Sequence, residues 1–217
     1  MCSSSSKIQT SFANPYEDYE FGFKFGTQFD IIKKKLLSLI ELIINHQTTE
    51  DEACDGGLYS GLGGIAYMLV HLLRTPDVLS PSEKIKIIPR VQKFLNVQLN
   101  YFAKLRDLAS SQDPNETDQC SYRVGLLLGE AGVFAVGAVL AHFLGNEKTR
   151  TQCLREFIIA GDTAKQINED FDGKGSNDIC TGRAGYLCSA LWLSQHLGYQ
   201  AVPVEVIIIL SRKYSDG

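Results

Sequence analysis

Three glycine pairs set the frame for everything this chain can become. Gly61-Leu62-Gly63-Gly64, Gly129-Glu130-Ala131-Gly132 and Gly182-Arg183-Ala184-Gly185 share one spacing, and each opens an apolar run. Their first glycines stand 68 and 53 residues apart, and each interval holds one amphipathic stretch. A unit of one apolar and one amphipathic helix, repeated at such intervals, is a series of helical hairpins that stack on their neighbours. The pattern predicts an all-α fold, a partial α/α toroid with apolar helices in an inner ring and amphipathic helices in an outer ring. A residue without a Cβ at each inner-helix start permits a tight turn and a close backbone approach. Helix N-termini gathered at one end of such a ring also favour bound anions.

The helices can be placed from periodicity and capping. Residues 1–26 read as an aromatic-rich arm (Phe12, Tyr16, Tyr19, Phe21, Phe23, Phe25), and 27–217 are expected to form an incomplete toroid domain, a fragment of a longer one, because three and a half hairpins leave a ring open. Phe29, Ile32, Leu36, Ile40 and Ile43 recur at helical spacing over 29–46. An apolar helix is expected over 64–74. Ser80-Pro81-Ser82-Glu83 is a start signal, with Ser80 as cap, Pro81 at the first helical position and Glu83 closing a capping box. The helix it opens runs to 108, with a bend expected at Pro89. Further helices are expected over 131–144, 147–169, 184–197 and 202–214. The last has strand-like composition at 204–210, and its place in the alternation favours helix over strand.

Composition narrows the function classes. Hydrophobic residues make up 44% and charged residues 21%, the balance of a globular protein. Lys+Arg 21 against Asp+Glu 25 leaves a net charge of −4, so nucleic acid is not an expected partner. The run 124–144 is rich in Leu, Val and Ala but carries Glu130, a carboxylate that costs at least about 2.5–3.5 kcal/mol at a bilayer centre, so no transmembrane segment is expected. Peripheral attachment to a membrane stays open. The start of the chain lacks the basic-then-apolar order of a signal peptide, and Cys2 replaces the glycine of a myristoylation site. Six scattered cysteines read as reduced thiols of a cytoplasmic protein. Cys153 and Cys188 read as buried small hydrophobes, whereas Cys54 and Cys180 lie at loop-to-helix junctions where a reactive thiol could stand.

The sequence resembles the lanthionine synthetase C-like family, in its animal branch and its N-terminal half. Asn14-Pro15-Tyr16-Glu17-Asp18-Tyr19 looks like the Asn-Pro-Tyr-x-Asp-Tyr element of that branch. Asp55-Gly56-Gly57-Leu58-Tyr59-Ser60-Gly61 and the second and third glycine pairs resemble the starts of the first three inner helices. The resemblance implies about half of a double barrel of seven hairpins. It implies a zinc-dependent, glutathione-binding enzyme that adds thiols to dehydroamino acids in peptides or proteins. It also places the two cysteines and one histidine that hold the zinc in the other half. His46, His71, His142 and His196 lie within or at the end of predicted helices, without the spacing of a closed metal site. No metal ligand and no catalytic residue is therefore assigned here, and the chain alone is expected to be inactive. The alternatives are a non-catalytic helical scaffold that binds glutathione or a protein partner, and another α/α toroid such as a glycosidase.

Five residues at the inner-helix starts are candidates for the mouth of a central cavity: Asp55, Tyr59, Glu130, Asp178 and Arg183. Glu130 and Arg183 occupy one slot in successive repeats and are expected to pair across the ring. The aspartates are expected to cap the helices that follow them. Gly61, Gly64, Gly129, Gly132, Gly182 and Gly185 are read as structural.

Overall fold

The structure, a computed structural model, describes residues 26–50, 54, 56–110, 124–166 and 177–215. The arm read over 1–26 (but for Gly26) and the candidate Asp55 lie outside the described residues. The chain divides into two compact units, residues 1–45 and 46–217. In the first, α1 spans Gly26–His46, where Phe29, Ile32, Leu36 and Ile40 keep their helical spacing and Ser38 Oγ donates to the Lys34 carbonyl at 3.1 Å.

The second unit is built from hairpins. Helix α2 (Leu62–Arg74) buries Leu62, Ala66, Leu69, Val70 and Leu73, one stripe at spacings of three and four. It starts two residues earlier than expected because Gly61 takes the extended N-cap conformation (φ −90°, ψ −179°) and frees Leu62 to begin the helix. Helix α3 (Pro81–Ser110) opens with the expected capping box. The Glu83 N–H donates to Ser80 Oγ at 3.3 Å, and the Ser80 N–H donates to Glu83 Oε2 at 2.6 Å. It runs through Pro89 without interruption and buries Ile87, Val91, Phe94, Leu95, Gln98 and Phe102.

Helix α4 (Glu130–Phe143) is buried at every residue from Glu130 to Ala141. Helix α5 (Glu147–Gln166) begins after Asn146, whose Oδ1 accepts the Thr149 N–H at 3.1 Å, and buries Cys153, Phe157, Ala160 and Ala164. Helix α6 (Arg183–Leu197) ends at Gly198, where φ is +77°. Residues 204–210, strand-like in composition, are helical as the alternation favoured: α7 covers Val204–Ser215 and buries Val206 and Leu210 one turn apart.

All described elements are α-helices, and those of the second unit form two layers. The glycine-led helices lie side by side, α2 against α4 and α4 against α6. The amphipathic helices α3, α5 and α7 pack outside them, each on its own hairpin partner. Helix α4 also packs on α3, so it has helices on several sides. That enclosure explains its uninterrupted burial. Each fully buried Val, Leu or Phe of α4 contributes about 1.5–3 kcal/mol. No helix among the described residues is long and apolar enough to cross a membrane.

Candidate functional site

The starts of α2, α4 and α6 repeat one geometry. Six residues before the second glycine of each pair, a carbonyl oxygen closes over it. A Cβ on Gly64 would meet Leu58 O at 2.3 Å, on Gly132 Leu126 O at 1.9 Å, and on Gly185 Ile179 O at 2.2 Å. Only glycine fits three such contacts. The first glycines, Gly61, Gly129 and Gly182, are N-caps in extended conformation, so none of the three helices is capped by the side chain of its own N-cap residue.

The lead-in loops are also joined sideways. The Leu58 N–H donates to Leu127 O at 2.7 Å and the Tyr59 N–H to the same oxygen at 3.0 Å. The Leu128 N–H donates to Cys180 O at 3.1 Å. Leu127 and Cys180 hold the same slot, five residues before the second glycine of their repeats. A backbone belt therefore runs from the first loop through the second to the third. It needs close approach. A Cβ on Gly57 (φ +56°) would lie 2.8 Å from Leu127 O, and one on Gly125 would lie 2.0 Å from Cys180 O. Gly57 and Gly125 each stand four residues before the first glycine of a pair, a signal present in the sequence that the reading above passed over.

Asp178 occupies that slot in the third loop. Its Oδ1 accepts the N–H groups of Cys180 and, at 3.0 Å, Thr181, while Oδ2 accepts the Thr181 hydroxyl at 2.7 Å. Partial burial pushes its pKa up, but these hydrogen bonds outweigh it and hold the carboxyl below its ordinary range. The side chain thus fastens its own turn. Tyr59 is 75% exposed beside the belt.

Glu130 and Arg183 do not pair with each other in the ion pairs of the described residues. Both are 1% exposed and turn toward the outer helix of the preceding hairpin. Arg106 of α3 reaches Glu130 Oε2 at 2.5 Å and stands 3.9 Å from Glu156. Arg183 donates from Nε to Ala164 O of α5 at 3.5 Å and from Nη1 to Asn177 Oδ1 at 3.0 Å. The equivalent slot of the first repeat holds Leu62, fully buried. First-turn position fixed the slot in sequence, but the rotation of the helix decides the direction, and it aims the slot between the two layers. A carboxylate pair of the glycosidase kind gains nothing here, because Glu130 is bound to Arg106 and Asp178 to its own turn.

Gln98 is a further residue the sequence reading missed. Fully buried on the apolar stripe of α3, its Nε2 donates to Cys54 O at 2.7 Å and its Oε1 accepts the Gly63 N–H at 3.1 Å. An amide in register with Val91, Phe94, Leu95 and Phe102 was the available clue.

The cysteines separate by environment. Cys54 is fully buried, and its thiol points at Glu50 O at 3.7 Å. Cys153 is buried as expected, and burial, with Glu156 adding, pushes its thiol up to about 11. It lines a cavity of about 290 Å³ between α3, α4 and α5 together with Leu95, Asn96 and Leu140, and it is a poor nucleophile there. Cys188, read as buried, is exposed. Helix α6 is apolar nearly all round, so its sequence does not show which side meets α4.

The histidines of α2 and α6 meet in a ring cluster that the sequence did not reveal. Tyr67 and His71 stand 4.6 Å apart, Tyr67 and Trp192 5.5 Å, Trp192 and His196 4.3 Å, and His71 and His196 5.8 Å, centroid to centroid. Burial, then His196 and Arg74, lower the pKa of His71. Burial, then Arg74, lower that of His196 against the opposing pull of the Trp192 carbonyl. Among the described residues no three His, Cys, Asp or Glu side chains converge as a metal site, so the zinc implied by the resemblance finds no ligand set in them.

Comparison with known proteins gives one family. The model described as "Lanthionine synthetase C-like protein" matches residues 52–214. The "Glutathione S-transferase LANCL1" of Danio rerio is 26% identical over 216 residues, covering 92% of this chain and 45% of its own length. The "LanC-like protein GCL1" of Arabidopsis thaliana is 35% identical over 86 residues, which are 39% of this chain and 20% of that protein. The chain thus spans less than half the length of these relatives.

Proposed function

Because the chain belongs to the lanthionine synthetase C-like family, we propose that it forms the N-terminal arc of an α/α toroid that binds glutathione and serves thiol addition to dehydroamino acids in peptides or proteins. The observation that carries the glutathione part is the zebrafish relative, a glutathione S-transferase by name, aligned along 92% of this chain. The belt supports it. Three helix N-termini with glycine N-caps are tied to one end of the inner layer; Gln98 already takes the Gly63 N–H of α2, and the partial positive charge of α4 and α6 favours a carboxylate-bearing ligand. The one acidic side chain in those first turns, Glu130, is neutralised by Arg106. In this reading Gly61 and Gly129 let each loop fold closely onto its helix start, since a Cβ would lie 2.7 Å from Gln98 Oε1 on the first and 2.5 Å from the Gly125 nitrogen on the second. Asp178 and the belt hold the loops in place, and Tyr59 offers an exposed ring beside them. The zinc of the full reaction draws on residues beyond those described, and no step on this chain runs through it.

Titration of the isotope-labelled chain with glutathione, followed by amide NMR shifts, tests the binding. Shifts gathered at residues 56–64, 124–132 and 177–185 are the expected result. An unchanged spectrum at millimolar glutathione, or shifts confined to the outer helices, would overturn it.

A further inference from the structure

The ring cluster has an unused coordination capacity. His196 Nδ1 lies 2.8 Å from the Trp192 carbonyl, which fixes the tautomer with the proton on Nδ1 and the lone pair on Nε2. That is the arrangement of a metal-ligating imidazole, whose far nitrogen donates to a backbone carbonyl. His71 Nε2 is buried and has no hydrogen-bond partner. The two rings come from different helices, and Tyr67 and Trp192 pack against them and limit their swing.

We propose that His71 and His196 form a two-histidine site for a divalent cation that prefers imidazole, such as nickel, copper or zinc, clasping α2 to α6. Each nitrogen binds such an ion at about 2.0–2.1 Å, which puts the ion about 3.2 Å from each ring centre and allows the centres to be at most about 6.4 Å apart. The observed 5.8 Å falls inside that reach; the rings stand edge to face at 87°, and rotation of the side chains turns both free nitrogens toward one ion. Both imidazoles are held below their ordinary pKa, so the neutral ligand form prevails at neutral pH. Two ligands and the nearby charge of Arg74 keep the affinity modest, and water completes the shell. The site lies toward the C-terminal ends of α2 and α6, away from the glycine belt. Its fate is therefore independent of the glutathione reading.

Trp192, the only tryptophan of the chain, sits 4.3 Å from His196 and reports occupancy. The experiment titrates the full chain at pH 7.5 with nickel(II) chloride and follows Trp192 quenching. Parallel titrations use H71N, H196N, R74A and C188S, each checked for folding by circular dichroism. Saturable quenching is expected. It should weaken at least tenfold in H71N and in H196N, tighten severalfold in R74A, and stay unchanged in C188S. Quenching of equal strength in both histidine variants, or none up to millimolar nickel, overturns the proposal. If H71N fails to fold, H196N and R74A decide alone, because a thiol or surface site would respond to neither.

Discussion

Gly161 and Tyr186 offer a sharp test of the packing between α5 and α6. Tyr186 is fully exposed to neighbours and not at all to solvent, with its ring stacked on Phe157 at 4.6 Å and 20°. Its hydroxyl is buried without a hydrogen-bond partner, and burial, with Asp162 adding, pushes its pKa up. A Cβ on Gly161 would lie 2.3 Å from that oxygen, 2.6 Å from Cζ and 3.1 Å from Cε1. In a helix interior alanine is favoured over glycine by about 1 kcal/mol. Overpacking against a ring that cannot swing out costs about 1–3 kcal/mol. Gly161→Ala should therefore lose up to about 2 kcal/mol rather than gain one. Tyr186→Phe removes an unsatisfied hydroxyl, which costs about 1–3 kcal/mol where it stands, so that change should be neutral or stabilising. Combined, the two should couple favourably by about 1 kcal/mol, since the nearest contact disappears while Cζ remains. Urea unfolding followed by Trp192 fluorescence measures all four corners of the cycle. Additivity within about 0.5 kcal/mol, or a Tyr186→Phe that costs more than 1 kcal/mol, would refute the reasoning.

Other expectations follow from the same geometry. Gly64→Ala, Gly132→Ala and Gly185→Ala should each lose at least about 2 kcal/mol by overpacking in urea unfolding, because backbone oxygens at 1.9–2.3 Å cannot step aside. Arg106→Ala should cost about 2 kcal/mol, below the 3–5 kcal/mol of a fully buried pair because Arg106 keeps 32% of its side chain exposed. Arg106→Lys should recover part of that loss in the same assay. With a thiol reagent at pH 8, mass spectrometry should find Cys188 modified early, and Cys54 and Cys153 only after unfolding.

The architecture was legible because glycine is demanded by geometry rather than by preference. Gly64, Gly132 and Gly185 each face a carbonyl that no side chain could share, and that need is written at fixed spacing. The capping box at Ser80 and Glu83 was equally plain, since both partners are local. What escaped depends on rotation and on distant partners. Glu130 and Arg183 stood in the right slot, but only tertiary packing shows that the slot faces α3 and α5. Leu62 in the same slot hinted at it. Cys188 was misplaced because α6 offers apolar residues on most sides. The meeting of His71 with His196 joins residues 125 apart in sequence, beyond the reach of any periodicity.

The belt ties each glycine-led loop to the next and so sets the inner helix starts side by side. Hydrogen exchange of the Leu58 and Leu128 amides tests it most directly, because each donates its proton to the neighbouring loop. Protection close to that of the α4 core is the expected result, with exchange only on global opening. Exchange at the rate of open loop amides, while α4 stays protected, would contradict it.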